Sequence, residues 1–417
     1  MRLVCVLAAS TTHEVPLIAT IAVSLAFAFV GGLLAVRLRL PPLVGYLLAG
    51  IVVGPFTPGF VADAKLAPQL AEIGVILLMF GVGTHFSIRD LVAVRRVALP
   101  GAFTQIIVAT ALGASVVTLW GWSLGAGIIF GLSLSVASTV VLLRALEDRD
   151  MIKSNDGRIA IGWLVVEDLL MVLALVLLPV LTGVTGGDLP NNANNSGSLW
   201  PALGITIGKV ILFIGLMLIA GVRFFPWLLS RVEKTGSREL FTLAVIALAL
   251  GVAFGSAKLF GVSFALGALF AGVVVNESDL SHRAAKDLQP LQDAFTVLFF
   301  VAVGMLFDPS ILIRQPLQVL AVLAIVVFGK SLAAFGIVRA LGGSMRTALI
   351  VSAALAQIGE FSFILAGLGV SLRLLPAEGL NLIVAGALLS ITFNPAVFSA
   401  AIAFAGRDGK DMLRVES

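Results

Sequence analysis

Apolar residues run along this chain in long blocks separated by short polar stretches. Thirteen blocks stand out, near residues 15–36, 41–53, 66–83, 97–119, 123–146, 157–183, 199–222, 238–257, 261–275, 289–306, 315–338, 346–370 and 377–404. Most are long enough to cross a bilayer as a helix, which takes about 20 apolar residues. The second and ninth are short and bounded by Pro and Gly or by polar residues. The pattern predicts an all-α polytopic membrane protein of about 13 transmembrane helices. After the last block only a charged stub remains, from Gly406 to Ser417.

Composition removes the alternatives to a membrane domain. The chain is 59% hydrophobic and 12% charged, whereas soluble domains carry roughly 25% charge. Its one cysteine, Cys5, excludes an internal disulfide framework and a thiolate metal site. The start, MRLVCVLAAS, faintly resembles a signal peptide, but a full span follows at once and the start reads as uncleaved. A net charge of +4 makes no case for nucleic acid. With the N-terminus outside, twenty of the 27 Lys and Arg residues face inward and five outward. Positive charge collects on the inner side, so the expected topology is N-terminus outside and C-terminus inside. The stretch GVTGGDLPNNANNSGS then forms a flexible outer loop, despite its Asn194-Asn195-Ser196 triplet.

The chain also repeats itself. Gly45…Ala49-Gly50-Ile51-Val52-Val53 recurs as Gly267…Ala271-Gly272-Val273-Val274-Val275, an offset of 222. Glu72…Val82-Gly83…Phe86 recurs as Asp293…Val303-Gly304…Phe307, an offset of 221. That offset also lays Leu134-Ser135-Val136-Ala137-Ser138-Thr139 on Leu355-Ala356-Gln357-Ile358-Gly359-Glu360. One period holds seven spans, an odd number, so the second copy is inverted. Two inverted six-helix repeats, at 1–183 and 238–405, are expected to flank an outer loop, linker helix and inner loop at 184–237. Residues 406–417 form a cytoplasmic tail. Inverted repeats are a transporter device, with the site near the midplane.

Candidate chemistry lies where polar groups interrupt apolar spans. Glu167 and Asp168 sit near the middle of the sixth span, with no base of their own inside it. A mid-membrane carboxylate costs roughly 2.5–3.5 kcal/mol on insertion scales and is functional by default. The alternative is a structural hydrogen-bonder. The fifth span, GLSLSVASTVV, and the twelfth, AALAQIGEFSF, carry polar residues mid-run, as discontinuous helices do. Ser135, Ser138 and Thr139 could offer hydroxyl oxygens to a cation, or back-bond to a carbonyl one turn earlier. Gln357 and Glu360 mark the second break, and Glu360 could equally cap a helix end. Lys330 is a lone base deep in the eleventh span. It is expected to pair with Glu167 or Asp168; the alternative is snorkelling, which suits Lys209 better. His13, His85 and His282 are dispersed, so no metal cluster is argued. No phosphate-binding glycine loop points to ATP.

At these motifs the sequence resembles the Kef-type monovalent cation:proton antiporters of the cation:proton antiporter-2 family, most closely the YbaL-like bacterial inner-membrane members. The resemblance runs from PPLVGYLLAGIVVGP through LAEIGVILLMFGVG, SVASTVVLLRALE, GWLVVEDL and LFFVAVGMLFDP to AQIGEFSFILAG. It implies thirteen helices with crossed, broken fifth and twelfth members, a homodimer, and elevator-like alternating access. It also implies that Asp168 binds the ion and the proton, that Lys330 is the buried compensating lysine, and that Ser138-Thr139 sits at the first break. Kef-type members often place Gln before the aspartate, where this chain has Glu167. They also usually end in a cytoplasmic nucleotide-binding regulatory domain, whereas this sequence stops at Ser417 and none is expected within it. A separate cytoplasmic regulatory subunit stays open as a partner.

The expected activity is non-enzymatic exchange of a monovalent cation, K⁺ ahead of Na⁺, for protons at Asp168, without a cofactor. A gated cation channel is the rival within transport, but it needs a filter of carbonyls or charged rings, and no such run is seen. A non-transporting membrane sensor or scaffold is the other rival, and it would tolerate neutral residues at 168 and 330.

Overall fold

The computed structural model describes residues 16–58, 66–85, 88–185 and 199–415, and among these the regular structure is entirely helical. The first residues, with Cys5 and His13, and most of the Asn-rich stretch expected to form an outer loop, lie outside the described residues.

Each of the thirteen apolar blocks becomes helix. In order these are α1 (Pro16–Arg37), α2 (Pro42–Val53), α3 (Leu66–His85) and α4 (Ile88–Leu119). The fifth block is split into α5 (Leu124–Ser135) and α6 (Thr139–Glu147), and α7 (Asn155–Thr185) follows. The seventh is α8 (Leu199–Leu216), which runs through a π-helical turn at Met217–Gly221 into α9 (Val222–Glu233). Next come α10 (Arg238–Gly255), with a π turn at Ser256–Phe260, then α11 (Phe264–Asn276) and α12 (Ser281–Met305). A short α13 (Ile311–Arg314) precedes α14 (Pro316–Ala324), which passes through a π turn at Ile325–Gly329 into α15 (Lys330–Ala340). The twelfth block is split into α16 (Met345–Ala354) and α17 (Glu360–Ser371), and α18 (Ala377–Val415) closes the chain. Among the described residues nine helices are long and apolar enough to cross a membrane.

Local chemistry sets several of these starts. Ser123, Ser138, Ser237, Ser263 and Ser344 each accept a hydrogen bond from the N–H three residues on, an N-cap that satisfies a helix donor left without an intrahelical partner. Hydropathy alone misplaces some ends. α4 begins at Ile88 and α12 at Ser281, before their apolar blocks, and α9 carries the seventh block on to Glu233. α18 extends to Val415, so the expected tail is mostly helix. The apolar blocks mark only the lipid-spanning part of each helix, and the helices continue into charged ends.

The helices gather in two groups. One joins α1–α3 to α10–α12; the other joins α4–α7 to α14–α18. Each group therefore takes three blocks from each half of the sequence. Within the first group the repeat-related residues pack reciprocally. A Cβ on Gly50 would fall on the Val301 carbonyl and against Gly304, and one on Gly304 on the Leu47 carbonyl and against Gly50. The mates do the same: a Cβ on Gly272 would fall on the Phe80 carbonyl and against Gly83, and one on Gly83 on the Leu269 carbonyl and against Gly272. Leu47 maps to Leu269, Gly50 to Gly272, Phe80 to Val301 and Gly83 to Gly304 at the two sequence offsets. Such a pairing of i with j and j with i is the signature of two-fold symmetry. Glycine is needed there because the two backbones touch.

Candidate functional site

The two broken helices cross at their breaks. α5 stops at Ser135, and Val136 and Ser138 are extended before α6 begins. α16 stops at Ala354, and Gly359 is extended just before α17. The strands of backbone meet: Gly359 N–H donates to the Val136 carbonyl at 3.1 Å. A side chain at 359 would strike the Ala137 carbonyl, so only glycine allows this approach. The Gln357 amide completes the crossing. Its Oε1 accepts from Ser138 N–H at 2.8 Å and its Nε2 donates to the Ser138 carbonyl at 3.1 Å.

Four helix ends are left at the crossing, and their dipoles choose the charges around them. Glu167 lies at the start of α6. It is wholly buried, and its Oε2 accepts from Ala137 N–H at 3.0 Å. Its Oε1 accepts from Gln105 Nε2. The Trp163 indole N–H faces the same carboxylate without reaching hydrogen-bonding geometry. At the end of α5, Gln105 Nε2 also reaches the Ser135 carbonyl at 3.3 Å. In the break between α16 and α17, the Lys330 ammonium donates to the Gln357 carbonyl at 3.0 Å. At the start of α17 stands Glu360, 3% exposed.

Asp168 points elsewhere from Glu167, because successive helix residues project about 100° apart. Its Oδ2 accepts from the Thr139 hydroxyl at 3.1 Å. Its Oδ1 is buried and has no hydrogen-bond partner. Glu360 Oε2 is buried and unpartnered as well.

The residues singled out in the sequence thus converge, though not all in the expected way. The expected salt bridge of Lys330 with Glu167 or Asp168 is absent: Lys330 is in none of the salt bridges among the described residues. Glu167 is its electrostatic partner at longer range. The Gln357 carbonyl takes the ammonium because it lies in the break between α16 and α17, outside both helices. Ser135 turns its hydroxyl back to the Leu132 carbonyl at 2.7 Å, and Ser138 caps α6. Thr139 alone of the three hydroxyls bonds to Asp168. Gln105 was not singled out in the sequence, although it is a lone amide inside the apolar run of α4, the same signal that marks Lys330. His85 has no described side chain, and His282 is exposed. Among the described residues no group of three His, Cys, Asp or Glu side chains could hold a metal ion.

Comparison with known proteins agrees with this geometry. YbaL of Escherichia coli (strain K12), named for the cation/proton antiporters, is 64% identical over 388 residues, covering 93% of this chain and 69% of YbaL. K(+) efflux antiporter 4 of Arabidopsis thaliana is 34% identical over 387 residues, covering 92% of this chain and 64% of that protein. The fold matches that of the sodium proton antiporter MjNhaP1 from Methanocaldococcus jannaschii with a TM-score of 0.64 at 17% identity, over 94% of this chain and all of that one. The model of the transmembrane sodium/hydrogen exchanger family matches residues 25–403, and this chain belongs to that family of cation/proton antiporters.

Proposed function

We propose that this chain exchanges a monovalent cation, K⁺ ahead of Na⁺, for protons, and that Asp168 is the group for which they compete. The observation that carries this is the buried Oδ1 of Asp168, which has no partner in the protein. A buried carboxylate oxygen left in that state is expensive unless something fills it, and a proton or a dehydrated cation would do so. Thr139 holds the other oxygen and so aims the empty one.

Glu167 is excluded from this competition because its two oxygens are already committed, one to a helix start and one to Gln105. With Lys330 as its long-range counter-charge, it keeps the crossing neutral through the cycle. Alternating access then consists of the α4–α7 and α14–α18 group moving against the α1–α3 and α10–α12 group, with the two inverted repeats at 1–183 and 238–405 supplying the two facing states. The excess of Lys and Arg on one side supports an outside N-terminus and an inside C-terminus. The Escherichia coli relative supports a bacterial inner-membrane location. A homodimer remains part of this reading.

The test is the purified protein in proteoliposomes, with internal pH followed as K⁺, Na⁺, Li⁺ or Rb⁺ is added outside. Proton efflux driven by the cation, largest for K⁺, is expected. Cation flux uncoupled from protons would point to a channel, and no flux at all to a sensor or scaffold.

A further inference from the structure

The unpartnered oxygen of Asp168 does not stand alone. Glu360, from the second half of the chain, is a like-charged neighbour of Asp168, as is the adjacent Glu167. Glu360 is the first residue of α17, and its Oε2 is buried and bonded to nothing. The first break touches both acids through consecutive residues: the Ser138 hydroxyl lies against Glu360, and the Thr139 hydroxyl bonds to Asp168. The nearby base is bonded elsewhere: Lys330 donates to the Gln357 carbonyl and forms no salt bridge with either acid among the described residues. Two carboxylates, each more than nine-tenths buried and each with a free oxygen, thus share one region without a cation of the protein's own.

We infer that Glu360 is a second direct ligand of the transported cation, so that the cargo site is a two-carboxylate cage with Asp168 from one repeat and Glu360 from the other. This rests on the antiport reading above for what the cargo is, but not for whether a cation binds. Two like charges held close in a dry site are unfavourable when empty. The vacant cage therefore keeps a proton and the loaded cage a cation. Ligation from both halves also explains why the breaks are clamped together by Gln357, since the two acids must keep their spacing while the group moves.

The experiment is equilibrium binding of ⁸⁶Rb⁺ and ²²Na⁺ to the purified full chain in detergent, at several pH values, for wild type, Glu360→Gln, Glu360→Asp and Asp168→Asn. Folding is checked by thermal unfolding. Glu360→Gln is expected to weaken cation binding by about tenfold or more, as when an ion site loses a ligand charge, and to reduce competition by protons. Glu360→Asp is expected to keep the fold and a carboxylate at the helix start but to change the ratio of Rb⁺ to Na⁺ affinity, because the shorter acid resizes the cage. Wild-type affinity and proton competition in Glu360→Gln would overturn the inference. If Glu360→Gln does not fold, an unchanged Rb⁺ to Na⁺ ratio in Glu360→Asp would overturn it equally. Absence of cation binding to the wild type would also overturn it. A wild type that binds cations but does not exchange them for protons would refute antiport while leaving the cage intact.

Discussion

The side-chain amide of Gln357 closes on the backbone of Ser138 from both sides, accepting from its N–H at 2.8 Å and donating to its carbonyl at 3.1 Å. This one residue imitates a strand partner at a point where neither helix can satisfy its own backbone. It ties the first break to the second, and its own carbonyl anchors Lys330. Gln357→Ala should strip both Ser138 groups of their partners. Each orphaned buried group costs about 1–3 kcal/mol, so thermal unfolding in detergent should show a loss of about 2–6 kcal/mol. Gln357→Glu should do nearly as badly, since a carboxylate cannot donate to the Ser138 carbonyl. Unchanged melting of Gln357→Ala would show that the clasp is not what holds the crossing.

Lys330 and Glu167 counter one another without touching. Lys330→Ala should lower stability by about 3–5 kcal/mol, the loss typical when one partner of a buried charge pair is removed. The double variant Lys330→Ala/Glu167→Gln should recover part of that loss, with a coupling of about 0.5–3 kcal/mol. Glu167→Gln alone keeps an acceptor for Ala137 N–H and should retain folding and turnover. A double-mutant cycle that is strictly additive would mean that the two charges do not compensate each other.

Gln105 holds Glu167 and the last carbonyl of α5 with the same nitrogen. Gln105→Leu should cost about 1–3 kcal/mol in stability, the range for an unsatisfied buried group. Cation affinity should stay near wild type if, as proposed, Asp168 and not Glu167 takes the cargo. A large drop in cation affinity would place Glu167 in the binding site after all.

The reciprocal glycines give a test of the two-fold packing. Gly50→Val and Gly272→Val each push a side chain onto a facing backbone carbonyl, and overpacking of this kind costs typically about 1–3 kcal/mol or more. The two variants should lose stability by similar amounts. Gly251→Ala, where a Cβ meets nothing within 4 Å, should be tolerated. Strongly unequal losses at Gly50 and Gly272 would contradict equivalent environments.

Much of this was legible beforehand because the membrane is a severe solvent. The thirteen blocks, the breaks at Ser135–Thr139 and Leu355–Glu360, and the acids at 167 and 168 all follow from where polar residues interrupt apolar runs. The repeat was legible because touching backbones demand glycine at Gly50, Gly83, Gly272 and Gly304. What escaped was partner choice. Charge alone pointed to a Lys330 ion pair, but the buried carbonyl of Gln357 in the helix break, an acceptor that sequence does not display, takes the ammonium. Gln105 was missed because a neutral amide carries no charge to draw notice. Glu167 and Asp168, neighbours in sequence, part company only when the helix turn and the Ala137 N–H are in place. The π turn before Lys330 had no sequence mark at all.

The account's central claim is that Asp168 is the shared seat of proton and cation. The most direct measurement is cation-driven proton flux in proteoliposomes by wild type and Asp168→Asn, with equal reconstitution and intact folding verified. The asparagine keeps the size and the acceptor for Thr139 but loses the titratable oxygen. Wild type should acidify or alkalinise the lumen as the K⁺ gradient dictates, and Asp168→Asn should give no flux above empty liposomes. Near-normal K⁺-driven proton exchange by Asp168→Asn would contradict the account.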